Sequence, residues 1–219
     1  MNESDHWRFF IAAPVSESWN PWISNAQDSM ERALPGYFRW TARESWHITV
    51  LFIGSQPSSA ASTIQDALLQ VAAHTPTIKL TAGEVISPAS RERPRLVWLS
   101  CEESGSLHPA QRELLLILAD LELTASPFRA HITLGRARIP FQRAIKPTNE
   151  TERPPPSSIQ ELILFRSHLD HQGARYEVLT RAALKRRAAV SKIDQAEHAA
   201  YNIATEQYQK TGIRKSTGG

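Results

Sequence analysis

Little in the sequence suggests a membrane or a disulfide. Cys101 is the single cysteine among 219 residues, which excludes an internal disulfide. A membrane-spanning helix needs about 20 apolar residues in succession, and runs such as LLLIL at 114–118 are far shorter. The chain begins with a polar stretch of mixed charge rather than with a basic segment followed by an apolar one. We therefore expect a cytoplasmic protein that does not enter a membrane.

Sequence signatures of a bound metal are also missing. There is no H-E-x-x-H, no C-x-x-C and no dense cluster of carboxylates. His168 and His171 are close in the chain, but their place beside a predicted hairpin turn favours solvated surface residues over a metal pair. Cys101 follows a strand end and has no partner motif, which favours an unreactive thiol. We expect neither a metal nor a cofactor.

The net charge of +3 is unevenly distributed. Residues 185–219 contain seven Lys/Arg against three Asp/Glu, so this segment carries four positive charges and the rest of the chain one negative. A body without a basic excess argues against a surface that coats duplex nucleic acid. The composition changes at the same place. It predicts a catalytic domain over 1–185, followed by a basic, alanine-rich helix and a disordered end over 186–219.

Short β-branched segments alternate with amphipathic ones along the domain. The predicted strands are 7–13, 47–53, 77–86, 95–100, 130–136, 159–167 and 175–184. The predicted helices are 17–34, 60–73 and 107–121. Proline-rich loops are expected at 87–94 and 139–158, and a hairpin turn at 171–173. The hairpin and several short connections favour an α+β fold over a parallel, doubly wound sheet.

Two of the predicted strands begin with nearly the same tetrapeptide, HITV at His47 and HITL at His131. Side chains two residues apart on a strand lie on the same face, so His47 shares a face with Thr49 and His131 shares a face with Thr133. Of the eight histidines, only these two are followed by threonine at the second position. Equivalent positions lie 84 residues apart. That spacing predicts two related halves that each contribute one strand to a shared cleft.

Two imidazoles and two hydroxyls in one cleft suit the hydrolysis of a phosphodiester. The unperturbed pKa of imidazole is about 6.5, so near neutral pH one ring can accept a proton while the other donates one. Threonine hydroxyls can donate to phosphoryl oxygens, and an arginine can bind them with two parallel hydrogen bonds. Arg136, three residues after Thr133, is the nearest arginine. One imidazole would activate water while the other protonates the departing ribose oxygen of a cyclic phosphodiester.

Aromatic residues near the motifs allow more than one interpretation. Phe9 and Phe10 alternate faces, so one belongs to the core, and we select Phe10 to line the cleft and stack on a base. Trp46 points away from His47 and is expected in the core. Residues 37–43 interleave basic and aromatic side chains as single-stranded RNA sites do, although a packed strand with solvated arginines explains them equally well.

The blocks around the motifs resemble the two-histidine phosphoesterase superfamily and, within it, the RNA 2′,3′-cyclic phosphodiesterases, also called 2′-5′ RNA ligases. The likeness covers most of residues 7–184, in the ordered blocks WRFFIAAP, WHITVLFIG, RPRLVWL, PFRAHITLGR and ELILFRSHLDHQGARYEVL. It implies a bilobal α+β fold with two pseudo-symmetric halves, antiparallel sheets flanking a central cleft, and helices outside. It also implies a role for each motif residue. The catalytic imidazoles are His47 and His131, the phosphate-binding hydroxyls Thr49 and Thr133, and the charged support Arg136.

The activity that the resemblance implies is hydrolysis of RNA 2′,3′-cyclic phosphate ends to 2′-phosphates, with reversible 2′-5′ ligation of low efficiency. The partner would be RNA or an oligonucleotide with such an end, bound by a monomer. We assign His47 as acid and His131 as base, although the two motifs give no physical reason for that order. Alternatives are a superfamily member acting on a small cyclic nucleotide, ADP-ribose cyclic phosphate or a 2′-5′ oligonucleotide, and a non-catalytic RNA-binding module.

Overall fold

The computed structural model describes residues 5–86, 96–124, 127–138, 153–170 and 173–186. The predicted loop at 87–94, most of the loop at 139–158, the turn at 171–172 and the tail beyond residue 186 lie outside the described residues. The predicted domain boundary at residue 185 therefore stays a prediction.

Within these ranges, nine strands and three α-helices follow one another along the chain. The strands are β1 (His6–Pro14), β2 (Phe38–Trp40), β3 (His47–Pro57), β4 (Ile78–Ile86), β5 (Leu96–Glu103), β6 (His131–Ala137), β7 (Ser157–Ile159), β8 (Glu161–Asp170) and β9 (Gly173–Ala183). The helices are α1 (Asn20–Ala33), α2 (Ala61–His74) and α3 (Leu107–Ile117). Short 3-10 turns lie at Glu17–Trp19, Arg43–Ser45, Ser58–Ala60 and Ala119–Leu121. Every strand and helix predicted within residues 7–184 is present, with ends shifted by a few residues, while the helix predicted in 186–219 lies outside the described residues.

Two short strands were not predicted as such. β2 falls in the segment with interleaved aromatic and basic residues and pairs with β6, in agreement with the packed-strand interpretation. β7 corrects the end of the predicted loop at 139–158, because it pairs with β4 directly after a run of prolines. Proline cannot donate to a ladder, but β7 begins after the last proline and lies at the edge of the sheet, where one bonded side is enough.

The described strands form one antiparallel sheet in the order β7-β4-β5-β6-β3-β1-β8-β9, with β2 also pairing β6. The two strands that carry the motifs are central neighbours, and in the described ladder they pair at one position, Ile48 with Ile132. On either side of this pair the sheet divides into two arms of four strands. The predicted α+β fold with two related halves is confirmed, the halves being joined in a single sheet.

The helices cover the face of the sheet opposite the motif side chains. α2 contacts β8, β9 and α3, while α3 contacts β3 and α1 contacts β6. The core between helices and sheet includes the apolar members of both motifs, namely Ile48, Val50, Ile132 and Leu134. Trp46 is buried in this core, as expected, and its Nε1 donates to the carbonyl of Thr41 at 3.0 Å. Apolar burial on one face thus fixes which side chains the other face presents.

Candidate active site

The pairing of β3 with β6 brings the two H-x-T motifs together diagonally. Because the strands are antiparallel and meet at Ile48 and Ile132, His47 lies beside Thr133 and His131 beside Thr49. Two adjoining cavities follow this division. The first, of about 360 Å³, is lined by both His47 and Thr133, and the second, of about 370 Å³, by both His131 and Thr49. Thr49 and Phe52 border both cavities, so the two spaces adjoin at the motifs.

Both motif strands contain a β-bulge directly after the threonine. In β3, Thr49 pairs with Ala12 and Leu51 with Ile11, so Val50 is the extra residue. A bulge inserts one extra residue and so shifts the alternation of side chains by one position. As a result, the side chain five residues after the histidine lies on the same face as the histidine, not on the opposite face. In β3 this residue is Phe52, which pairs with Phe10 on the cleft side.

The bulge in β6 has the same position in its motif. Thr133 pairs with Trp98 and Gly135 with Val97, so Leu134 is the extra residue. Arg136 is thereby returned to the cleft face, where it lines the first cavity. Phe52 and Arg136 are 84 residues apart, as the two histidines are, and they occupy equivalent places in the two halves.

The structure brings the residues selected from the sequence into this region. His47, Thr49, Thr133, Arg136 and Phe10 all line the first cavity, whereas His131 lines the second. A set of residues from both halves of the chain therefore converges on two adjoining cavities.

Each imidazole is oriented by a backbone carbonyl two residues earlier. The Nδ1 of His47 lies 2.7 Å from the carbonyl oxygen of Ser45, and the Nδ1 of His131 lies 2.7 Å from that of Arg129. A carbonyl can only accept, so each Nδ1 carries the hydrogen and donates it. The Nε2 of each neutral ring is then left with its lone pair, ready to accept a proton.

Burial lowers the pKa of both histidines. At His47 the largest cause is loss of hydration, the bond to Ser45 opposes it, and the nearby charge of His131 lowers the pKa further. At His131 burial lowers the pKa and the bond to Arg129 opposes it. Both rings are consequently neutral near pH 7 in the free protein.

Aromatic rings enclose His47 on the side of β1 and β8. Phe10 lies 5.0 Å from it between ring centroids, and Tyr176 meets it edge-on at 5.4 Å. Phe10 is only 4% exposed, because Phe165 stacks on it at 5.0 Å. Phe10 therefore packs against the imidazole and has little free surface for a base. The open aromatic surface in the cleft is that of Phe52, which is 69% exposed and borders both cavities.

Phe52, Tyr176 and Trp98 were not selected from the sequence. Trp98 lies on the cleft face of β5 with its ring 4.2 Å from that of His131. Burial raises the pKa of the Tyr176 phenol, while the charge of Arg136 acts in the opposite direction. The signal that would have found Phe52 is its separation of 84 residues from Arg136. No comparable repeat marks Tyr176 or Trp98.

The remaining candidates from the sequence lie apart from this site. In the part of the chain that the structure describes, no three His, Cys, Asp or Glu side chains are grouped as metal ligands. Burial raises the pKa of the Cys101 thiol to about 12, which keeps it protonated. His168 bonds Glu177 at 2.8 Å at the surface. None of the described helices is long and apolar enough to span a membrane.

Comparison with known proteins identifies several similar chains. The family model described as LigT like Phosphoesterase matches residues 14–98. A curated RNA 2′,3′-cyclic phosphodiesterase of Geobacillus stearothermophilus is 27% identical over 179 residues, and one of Thermotoga maritima is 25% identical over 176 residues. Each match covers 78% of this chain, with 55% of the first relative and 92% of the second. The chain thus spans little more than half the length of the Geobacillus relative.

Solved structures share the fold. TT0787 of Thermus thermophilus superposes with a TM-score of 0.70 at 22% identity, covering 83% of this chain and 100% of that one. Apo LigT of Escherichia coli gives a TM-score of 0.62 at 22% identity over 83% of this chain and 99% of LigT. LigT has also been crystallised with 3′-AMP, and that structure gives a TM-score of 0.61. The antiparallel sheet with its few helices is the fold of these proteins.

Proposed function

We propose that the chain is a two-histidine phosphoesterase that hydrolyses RNA 2′,3′-cyclic phosphate ends to 2′-phosphates, in keeping with the family model and the curated relatives that it matches. The observation that carries the proposal is the pair of adjoining cavities bordered by His47, Thr49, His131, Thr133 and Arg136. It combines two proton-transfer groups, two hydroxyl donors and one guanidinium. Both curated relatives are RNA 2′,3′-cyclic phosphodiesterases, which supports this substrate class.

The phosphate would be bound between the two strands. The hydroxyls of Thr49 and Thr133 donate to its oxygens from opposite sides, and Arg136 donates two hydrogen bonds and neutralises its charge. Phosphoryl transfer depends chiefly on such positioning and charge stabilisation, so this arrangement can act without a metal. The described part of the chain supplies every group that this binding mode requires.

Each imidazole would then transfer one proton in an in-line displacement. The Nε2 of His131 accepts the proton of the attacking water, and the Nε2 of His47 donates a proton to the ribose O3′ as the P–O3′ bond breaks. We place the ribose in the first cavity because Arg8 lies at its rim, where it can bind a phosphate further along the RNA. His47 borders this cavity and faces the leaving oxygen. The acid and base roles follow from that placement.

The substrate would also create the protonation state that the reaction needs. Both rings are held neutral in the free protein by burial, which lowers their pKa values. A bound phosphate anion favours the imidazolium and therefore raises these pKa values. Binding thus favours one protonated ring beside one neutral ring, so the acid is formed where the phosphate is present.

The terminal base would stack on Phe52. Its exposed ring stands at the junction of the two cavities, within reach of a nucleoside whose phosphate lies between the motifs. Stacking on an aromatic ring accepts any base, as required for an enzyme that acts on RNA ends of varied sequence. The crystallisation of LigT with 3′-AMP supports a nucleotide as the unit that this site recognises.

Substrate preference separates this proposal from the alternatives. We expect the largest kcat/KM for an oligonucleotide with a 2′,3′-cyclic phosphate end, and a 2′-phosphate as the product. A larger value for adenosine 2′,3′-cyclic phosphate, ADP-ribose cyclic phosphate or a 2′-5′ oligonucleotide would instead assign that substrate. Binding of RNA with no turnover of any of them would indicate a binding module.

Metal independence is tested in the same assay. We expect the rate on a cyclic-ended oligonucleotide to be unchanged after treatment with EDTA and dialysis, because water is activated by His131. A requirement for an added divalent cation would contradict this mechanism. We also propose that the protein acts as a monomer in the cytoplasm. The proposed site draws its residues from one chain, and size-exclusion chromatography with light scattering tests the oligomeric state.

A further inference from the structure

Glutamine side chains bind the backbone carbonyls of both bulges. Gln111 on α3 donates from Nε2 to the carbonyl of Val50 at 2.9 Å, and the glutamine is 8% exposed. Gln27 on α1 donates from Nε2 to the carbonyl of Leu134 at 2.8 Å and to that of Thr41 at 3.0 Å. Val50 and Leu134 are the extra residues of the two bulges. Each bulge is therefore held by a side chain from a helix.

The two glutamines are equivalent and their contacts are crossed. Gln27 and Gln111 are 84 residues apart, the separation that also relates the two motifs. Gln27 belongs to the first half but holds the bulge of the second motif, whereas Gln111 belongs to the second half and holds the bulge of the first. A repeat of this kind in both halves is unlike a chance contact. It links each helix to the strand that the other half supplies.

We propose that Gln27 and Gln111 are positioning residues that direct Arg136 and Phe52 into the cleft. A bulge is what turns these side chains to the face of the histidines, and a donor on the bulge carbonyl fixes the bulge geometry. The inference rests on the proposed function for the roles of the two directed residues. It predicts different consequences for substitution of the two glutamines. Gln27 directs Arg136, which binds the phosphate, whereas Gln111 directs Phe52, which stacks on the base.

The test compares a substrate with a base, adenosine 2′,3′-cyclic phosphate, and one without, ribose 2′,3′-cyclic phosphate. We expect Gln27→Leu to lower kcat/KM about tenfold on both, in the pattern of Arg136→Ala. We expect Gln111→Leu to lower it about tenfold on the adenosine substrate and less than about twofold on the ribose substrate, in the pattern of Phe52→Ala. Gln65→Leu is the matched control, because Gln65 bonds Thr180 away from the cleft.

A purely structural role would give a different result. Equal losses on the two substrates for both variants, or losses no larger than that of Gln65→Leu, would overturn the proposal. If a leucine variant does not fold, the asparagine variants keep the amide but fall one methylene short of the carbonyl, and they serve the same comparison. Turnover of either substrate by the unchanged protein tests the proposed function separately.

Discussion

The proposed reaction depends on the protonation states of His47 and His131. Burial lowers the pKa of both rings, so each is predominantly neutral above about pH 6.5 in the free protein. The proposed reaction needs one ring protonated and one neutral. The active form of the free enzyme is therefore most abundant at acidic pH, and its population falls as the pH rises.

We predict different pH profiles for the two kinetic parameters. The profile of kcat/KM reports the free enzyme and should have its maximum below about pH 6.5. The profile of kcat reports the complex, in which the phosphate anion raises the pKa of the imidazoles, so its maximum should lie at higher pH. Steady-state kinetics at about ten pH values from roughly pH 4 to 9 would measure the profiles of kcat/KM and of kcat. Profiles that coincide, or a kcat/KM maximum on the alkaline side of neutrality, would contradict this account of the two rings.

Phe52 is the residue for which substrate stacking can be isolated most cleanly. Its side chain is 69% exposed, so removal should change the free energy of unfolding by less than about 0.5 kcal/mol. Stacking on a base contributes about 1–3 kcal/mol. We predict that Phe52→Ala lowers kcat/KM on adenosine 2′,3′-cyclic phosphate by about 5- to 100-fold, whereas Phe52→Tyr retains most of it. An equal loss of kcat/KM on a substrate without a base would show that the substitution acts by disturbing β3, not by removing a stacking contact.

At the level of elements, the short strand β2 is held against β6 by close contact with a glycine. Gly135 has no side chain, and a Cβ at this position would lie 2.7 Å from the ring of Trp40 on β2. The indole Nε1 of Trp40 donates to Glu31 of α1 at 2.8 Å, which leaves the ring little freedom to move. Gly135 also lies directly before Arg136.

We predict that Gly135→Ala destabilises the protein by about 1–3 kcal/mol through this overlap. It should also lower kcat/KM, because the strand next to Arg136 must shift. Gly36→Ala is a useful comparison. Gly36 has a positive φ of 67°, but an added Cβ there would have nothing within 4 Å, so this variant tests backbone strain without steric overlap. Urea denaturation and kinetics on both variants would measure the two effects. A Gly135→Ala protein as stable as wild type would contradict this packing.

The sequence predicted most elements but not the bulges within them. Alternation from His47 correctly places Thr49 with it and Ile48 in the core. The same alternation, continued without interruption, assigns Phe52 and Arg136 to the wrong face, because it cannot anticipate the extra residue at each bulge. Arg136 was chosen for its closeness in the chain and its charge, so the sequence did not provide the geometric reason for its place in the first cavity.

The long-range contacts were beyond prediction from local patterns. The bonds from Gln27 and Gln111 join residues separated by 107 and 61 positions, and neither glutamine belongs to a recognisable motif. The burial of Phe10 likewise depends on Phe165, which is far away in the chain. Propensity and periodicity describe neighbours within one element. They carry no information on which element covers a given side chain.

At the scale of the whole molecule, the described residues of the candidate site lie before residue 186. Lys185 is bound to the segment that follows α2. Its N–H donates to the carbonyl of Thr75 at 2.8 Å, and its carbonyl accepts from the N–H of Thr77 at 2.9 Å. The following segment carries the excess of positive charge. The proposed chemistry uses only described residues before it, and we expect the segment to add affinity for an RNA chain through its charge.

We predict that a chain ending after Arg186 hydrolyses adenosine 2′,3′-cyclic phosphate with kcat/KM within about twofold of the full chain. On a longer cyclic-ended oligonucleotide, the shortened chain should have a higher KM at low salt and the same KM at high salt, because salt screens the lost charges. Kinetics at two ionic strengths would measure this. A loss of activity on the small substrate would contradict the predicted boundary at residue 185.

The central claim is that both histidines perform proton transfer on an RNA cyclic phosphate end. The most direct measurement is kcat/KM on a cyclic-ended oligonucleotide for wild type, His47→Ala and His131→Ala, together with the affinity of each for the 2′-phosphate product. The account predicts turnover by wild type and a loss of at least about 100-fold in each variant, with product affinity changed less than about tenfold. A wild type without turnover, or either variant retaining more than about a tenth of the activity, would contradict it.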